Sequence, residues 1–161
     1  AVGSSLFPAI INSKKQSEQL YYSRLQKLYI LMIWIALVIS IPVSLYSHWF
    51  VEILYGKEFI QAASVLTIHI WSGVFVFLGV ASSNWLVSEN LQKYSIINTL
   101  IGAFINVLLN YIFIPKIGII GAAWATLIAQ FVAAYLSLFL WRKTRINFIN
   151  ISKAFLLQIK K

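Results

Sequence analysis

The chain has 161 residues, of which 60% are hydrophobic and 11% charged, at a mean hydropathy of +0.82. Soluble domains carry about a quarter charged residues, so this is an integral membrane chain, and its formal charge of +9 sits in short blocks beside apolar spans rather than on a nucleic-acid-binding domain. With no Cys, no Asp and 2 His, disulfides are excluded and a multi-ligand metal site has almost nothing to be built from.

Residues 1–11 read as the end of a membrane helix, with Gly3, Ser4 and Ser5 as small contacts and Pro8 near its exit. The segment lacks a basic leader and Met32 is the sole Met, so the expectation is a chain that begins inside a helix of a larger protein. Residues 12–27 form a basic linker, with Lys14, Lys15, Arg24 and Lys27 against Glu18. Leu20, Tyr21, Arg24, Leu25 and Leu28 have helical spacing, which lays this linker along the membrane surface before it turns inward.

The uncharged run 28–46 is the first full span. Pro42 near its outer end predicts a kink or an end to regular hydrogen bonding, with Ser40, Ser44 and Ser47 on hand to satisfy freed backbone groups. Trp49 and Tyr55 mark an interfacial connection over 47–61. Residues 62–83 form the second span, which contains His69, Gly73 and Gly79; a polar connection, 84–94, follows.

The third and fourth spans, 95–114 and 119–141, make a hairpin. Pro115 has no N–H and pushes Ile114 from helical geometry, while Gly118 tolerates conformations closed to other residues, so 114–118 is a predicted turn. The tail, 142–161, is basic, and its apolar part is too short and interrupted to cross a bilayer, which makes it an amphipathic surface segment. The fold class is therefore all-α: a polytopic bundle of four full transmembrane helices after a truncated one.

Orientation follows from the cations. The linker, the 84–94 connection and the tail hold every Lys and Arg except Lys57 and Lys116, which places that side in the cytoplasm.

The hairpin also carries a resemblance. Asn106-x-x-Leu109-Asn110, then Ile114-Pro115-Lys116-x-Gly118-x-x-Gly121-Ala122-Ala123 and Ala125-Thr126, resembles the C-terminal region of polysaccharide flippases. These belong to the multidrug/oligosaccharidyl-lipid/polysaccharide exporter superfamily. The likeness extends more loosely to Ala1–Pro8, the basic segment after it, Trp85-Leu86 and Glu89-Asn90. It implies part of the second lobe of a twelve-helix transporter in the bacterial cytoplasmic (inner) membrane, working by alternating access. The implied cargo is a polyprenyl-pyrophosphate-linked oligosaccharide for O-antigen, capsule or exopolysaccharide assembly, carried from the cytoplasmic to the outer leaflet. The implied partners are that lipid-linked oligosaccharide, the phospholipid bilayer and the missing N-terminal lobe of the same chain. A cation-coupled drug antiporter of the superfamily and a non-transporting scaffold subunit are the alternatives.

No set of nucleophile, base and orienting group suggests an enzyme, and no phosphate-binding loop or cofactor motif is present. An ion gradient is the expected energy source. Candidate substrate contacts are few. His69 is ionisable within a span, where an unpaired group is costly to bury, although a neutral His bonded to a carbonyl is the plainer reading. Asn98, Asn106 and Asn110 recur every four residues or multiples of four and can meet sugar hydroxyls or serve as interhelical glue; the family motif favours glue for Asn106 and Asn110. Thr126 and Gln130 share a face of the fourth span and can pair with that row. Arg24 and Lys27 face the side where a lipid-linked pyrophosphate or an anionic head group is met.

Overall fold

The computed structural model describes residues 2–156, with side chains from residue 8 onward. The contacts expected of Gly3, Ser4 and Ser5, and the cations Lys160 and Lys161, lie outside what is described. The chain forms α1 (Val2–Lys14), α2 (Glu18–Leu45), α3 (Ser47–Tyr55), a short 3₁₀ turn (Lys57–Phe59), α4 (Ala62–His69), α5 (Ser72–Ser88), α6 (Gln92–Ile117), α7 (Ile119–Phe131), a π-helical turn (Val132–Leu136), α8 (Ser137–Leu140) and α9 (Arg145–Phe155). Four helical stretches are long and apolar enough to cross a membrane: Glu18–Leu45, Ala62–Ser88, Gln92–Ile117 and Ile119–Leu140. This is an all-α polytopic membrane bundle.

The core gathers around α2. Tyr21, Leu25, Leu28, Tyr29, Met32, Ile33 and Ala36 recur at three- and four-residue spacing and are buried with Leu78, Trp85 and Leu86 of α5 and Ile151 and Ala154 of α9. That stripe begins well before residue 28, so the expected surface linker is instead the first turns of one continuous helix. Helix propagation adds a hydrogen bond for each residue fixed, and buried Tyr21 and Leu25 give those turns a packed face as well.

Pro42 lies within the last turn of α2, which runs on to Leu45. The nearby serines do not mend the backbone at Pro42. Ser40 Oγ donates across to Ile70 O at 3.1 Å, and the Ser47 and Thr67 hydroxyls pair at 2.8 Å. They brace the second span at the place where it breaks, between α4 and α5 at Ile70–Trp71. The 47–61 connection is itself mostly helical, as α3 and the 3₁₀ turn.

At the other end, α5 closes with Asn90 at φ 56, the Leu91 N–H bonding to Leu86 O at 2.7 Å and the Asn90 N–H to Val87 O at 3.1 Å. This is a Schellman closure with Asn in the left-handed position, which Asn tolerates better than most residues. In the α6–α7 hairpin the helix continues through Pro115 to Ile117, and the reversal falls on Gly118 alone, at φ 63 and ψ −145. A proline in the final turn removes one backbone bond without ending the helix, whereas the Gly118 conformation is open essentially to glycine alone. Along the hairpin the backbones come very close. A Cβ on Gly102 would stand 2.6 Å from Ala133 Cβ, and one on Gly121 would stand 2.7 Å from the Phe113 backbone.

In the tail, α9 packs one face against α2, with Asn147, Asn150, Ile151 and Ala154 buried, and leaves Ile146, Ile149 and Phe155 exposed on the other.

Candidate functional site

Polar side chains in an apolar bundle collect on the seam between α5, α6 and the α7–π-turn stretch. The buried residues of α6 are Asn98 and Gly102, so its inward edge is an amide beside a bare backbone. Four-residue spacing continues that edge to Asn106 and Asn110. On the facing helix Gly121, Ala125 and Ala129 are buried and keep the two backbones close. Where the small residues leave room, two cavities open. One, about 280 Å³, is lined by Ser82, Ser83, Ser95, Asn98, Thr99 and Gln130 among apolar groups. The second, about 320 Å³, shares Thr99, Gln130 and Ala133 with the first and runs on past Gly102 to Asn106 and Thr126. Together they make one groove along the seam.

Along the seam, most of the amides are tied to one another or to α7. Asn110 Nδ2 donates to Asn106 Oδ1 at 2.9 Å, and Asn106 Nδ2 reaches Thr126 Oγ1 at 3.4 Å. Thr126 in turn donates to Ala122 O at 2.9 Å. These groups tie α6 to α7. The Asn98 side chain is buried and lines the first cavity, and its Oδ1 has no partner among the described residues. Gln130 lies where the cavities meet and has no hydrogen-bond partner among the described residues. Asn110 Oδ1 is likewise buried and unpartnered. A buried carbonyl oxygen left without a donor costs about 1–3 kcal/mol, so Asn98 Oδ1, which lines the groove, can accept a donor from outside the described residues.

No ionised side chain lines either cavity. Hydroxyl and amide groups can exchange hydrogen bonds with hydroxyls, amides and water, but they offer no cation to a phosphate. Among the described residues no group of three or more His, Cys, Asp or Glu comes together to hold a metal.

The remaining predicted contacts lie elsewhere. His69 is the last residue of α4, at the break in the second span, and is exposed rather than enclosed in the groove. Arg24 and Lys27 line a cleft with Ala9, Ile10, Leu28 and Leu31, which shares no residue with the groove.

Two polar clusters escaped the sequence reading. At the basic end Lys14 Nζ pairs with Glu89 at 2.7 Å, and Tyr21 OH donates to the same carboxylate at 3.0 Å, joining α1, α2 and the end of α5. Deeper, Tyr29 OH donates to Asn147 Oδ1 at 2.6 Å, and Asn147 Nδ2 donates to Ser82 Oγ at 2.8 Å. Ser82 also lines the first cavity, so this chain links α9 to the groove wall. The spacing of Asn147, Asn150, Ile151 and Ala154 was the available signal for a buried helical face. Nothing local announces Ser83 and Ser95, whose hydroxyls pair at 3.1 Å only after the α5–α6 turn brings them together.

A family model described as the lipid II flippase MurJ matches residues 1–160. An uncharacterized membrane protein of Methanocaldococcus jannaschii is 27% identical over 134 residues, which is 82% of this chain and 26% of that protein. The chain thus spans about a quarter of the length of this curated relative. No solved structure matches it.

Proposed function

We propose, because this chain belongs to the lipid II flippase MurJ family, that it forms part of a transporter moving a polyprenyl-linked saccharide precursor from the cytoplasmic to the outer leaflet by alternating access. The observation that carries this reading is the uncharged polar groove inside an apolar bundle, with the buried Asn98 Oδ1 left without a donor among the described residues and the half-buried Gln130 beside it. A hydrated glycan needs such partners while its lipid tail stays in hydrocarbon, and its hydroxyls supply the missing donors. Asn98, Gln130 and the hydroxyls around them are the contacts assigned to cargo; Asn106, Asn110 and Thr126 hold the helices that carry them.

The physical demand is the same for a lipid-linked peptidoglycan precursor and for an O-antigen, capsule or exopolysaccharide unit. We assign the class, polyprenyl-pyrophosphate-linked saccharide, on the family description and the groove chemistry together. The chain is read as a transporter with no bond-making step of its own, in a bacterial cytoplasmic membrane, driven by an ion gradient.

Deleting the gene and analysing lipid-linked glycans tests this. Accumulation of a precursor facing the cytoplasm is the expected result, and the accumulating species identifies the cargo. Unchanged glycolipid with new drug sensitivity would replace the reading with a cation-coupled antiporter.

A further inference from the structure

Arg24, Lys27, Leu28 and Leu31 share one face of α2, cations first and leucines after, over about 10 Å of helix axis. With Ala9 and Ile10 of α1 they enclose a cleft of about 270 Å³. Arg24 is fixed at its edge, Nη1 donating to Ala9 O at 3.1 Å. Lys27 is exposed and has no ion-pair or hydrogen-bond partner among the described residues. Below the leucines the same face stays apolar and outward, with Trp34 52% and Val38 66% exposed.

Each part of this arrangement selects against a different ligand. A free anion would use the cations and leave the apolar walls idle, and a zwitterionic lipid would bring its own cation towards Lys27. A molecule with a net negative phosphodiester and acyl chains uses both parts at once. The other cation nearby on α1, Lys14, is already engaged by Glu89, and neither Arg24 nor Lys27 has an acidic partner among the described residues.

We propose that the α1–α2 cleft is a binding site for an anionic phospholipid, with its phosphate between Arg24 and Lys27 and an acyl chain along the exposed Leu31, Trp34 and Val38. The assignment stands apart from the transport reading, because it uses none of the groove residues.

Native mass spectrometry of the whole protein in detergent tests it, with phosphatidylglycerol, phosphatidylcholine and glycerol phosphate titrated separately. Phosphatidylglycerol is expected to bind more tightly than phosphatidylcholine. Lys27→Gln should weaken it about fivefold, the equivalent of about 1 kcal/mol for one basic residue at a charged surface, and leave phosphatidylcholine unchanged. Lys27→Glu should abolish the preference. Arg24→Gln also loses the tie to Ala9, so its binding is read beside a melting temperature, whereas Lys27 has no such tie to lose. Equal binding of the two lipids, or an unaltered preference in Lys27→Gln, overturns the proposal. So does glycerol phosphate binding as tightly as the lipid. Lys27-dependent binding of polyprenyl pyrophosphate without phosphatidylglycerol would make the cleft a cargo site and overturns it as well.

Discussion

Asn98 is where stability and transport should respond in opposite directions. Its Oδ1 is buried without a partner among the described residues, so Asn98→Leu removes a penalty of about 1–3 kcal/mol. The expected outcome is an unchanged or raised melting temperature in detergent together with at least a tenfold loss of precursor flipping; such a loss corresponds to about 1.4 kcal/mol of lost interaction. Full transport in a stabilised variant would make this amide a packing defect rather than a contact. Gly121 is the converse case. An added Cβ would meet the Phe113 backbone at 2.7 Å, where no flexible side chain can give way. Gly121→Ala should therefore cost about 1–3 kcal/mol in thermal unfolding, the usual range for overpacking, and lower transport only in proportion to folded protein. These two residues also differ in how far the sequence revealed them. Gly121, Ala125 and Ala129 follow the regular small-residue spacing that close helix contact needs, which is a local property of the sequence. Asn98 could be named but not distinguished from Asn106, because both are asparagines on one face and only the partner opposite separates them.

At the scale of elements, α9 depends on a buried polar chain rather than on membrane partition. Tyr29→Phe keeps the ring but leaves Asn147 Oδ1 without its donor, 2.6 Å away in the native bundle. The expected cost is about 1–3 kcal/mol, seen as faster hydrogen exchange along α9 than along α6. The exposed Lys57–Glu52 pair, 3.6 Å apart, provides the contrast: Lys57→Ala should change thermal stability by less than about 1 kcal/mol, as surface ion pairs do. Spans were legible because length and the absence of charge are local properties. Their ends were less so. The start of α2 is hard to place from sequence because Arg24 and Lys27 signal a surface segment, yet the adjacent face, with Tyr21 and Leu25, is buried. The packing of the tail is hidden from the sequence for a related reason. Eleven residues cannot span a bilayer, but they can complete a bundle whose neighbours supply the missing apolar surface and hydrogen bonds.

For the whole molecule, the arrangement of charge gives the strongest test. The structure joins the end of α1 to the end of α5 through Lys14 and Glu89, and packs Tyr94 at the start of α6 against Trp141 with ring centroids 5.6 Å apart. The basic connections therefore share one end of the bundle, and Lys57 and Lys116 lie at the connections of the other. Reporter fusions at Lys57 and after α9 should report opposite compartments, with the C-terminal one cytoplasmic. The same compartment for both would dismantle the four-span arrangement and every reading built on it. By itself, the sequence determined the class, the spans, their alternation and the hairpin around Gly118, since each depends on hydropathy, charge or backbone conformation within one stretch of chain. Which asparagines keep a free oxygen, which cations are paired and where the tail packs were decided by tertiary structure, because each depends on which side chain arrives from a distant helix.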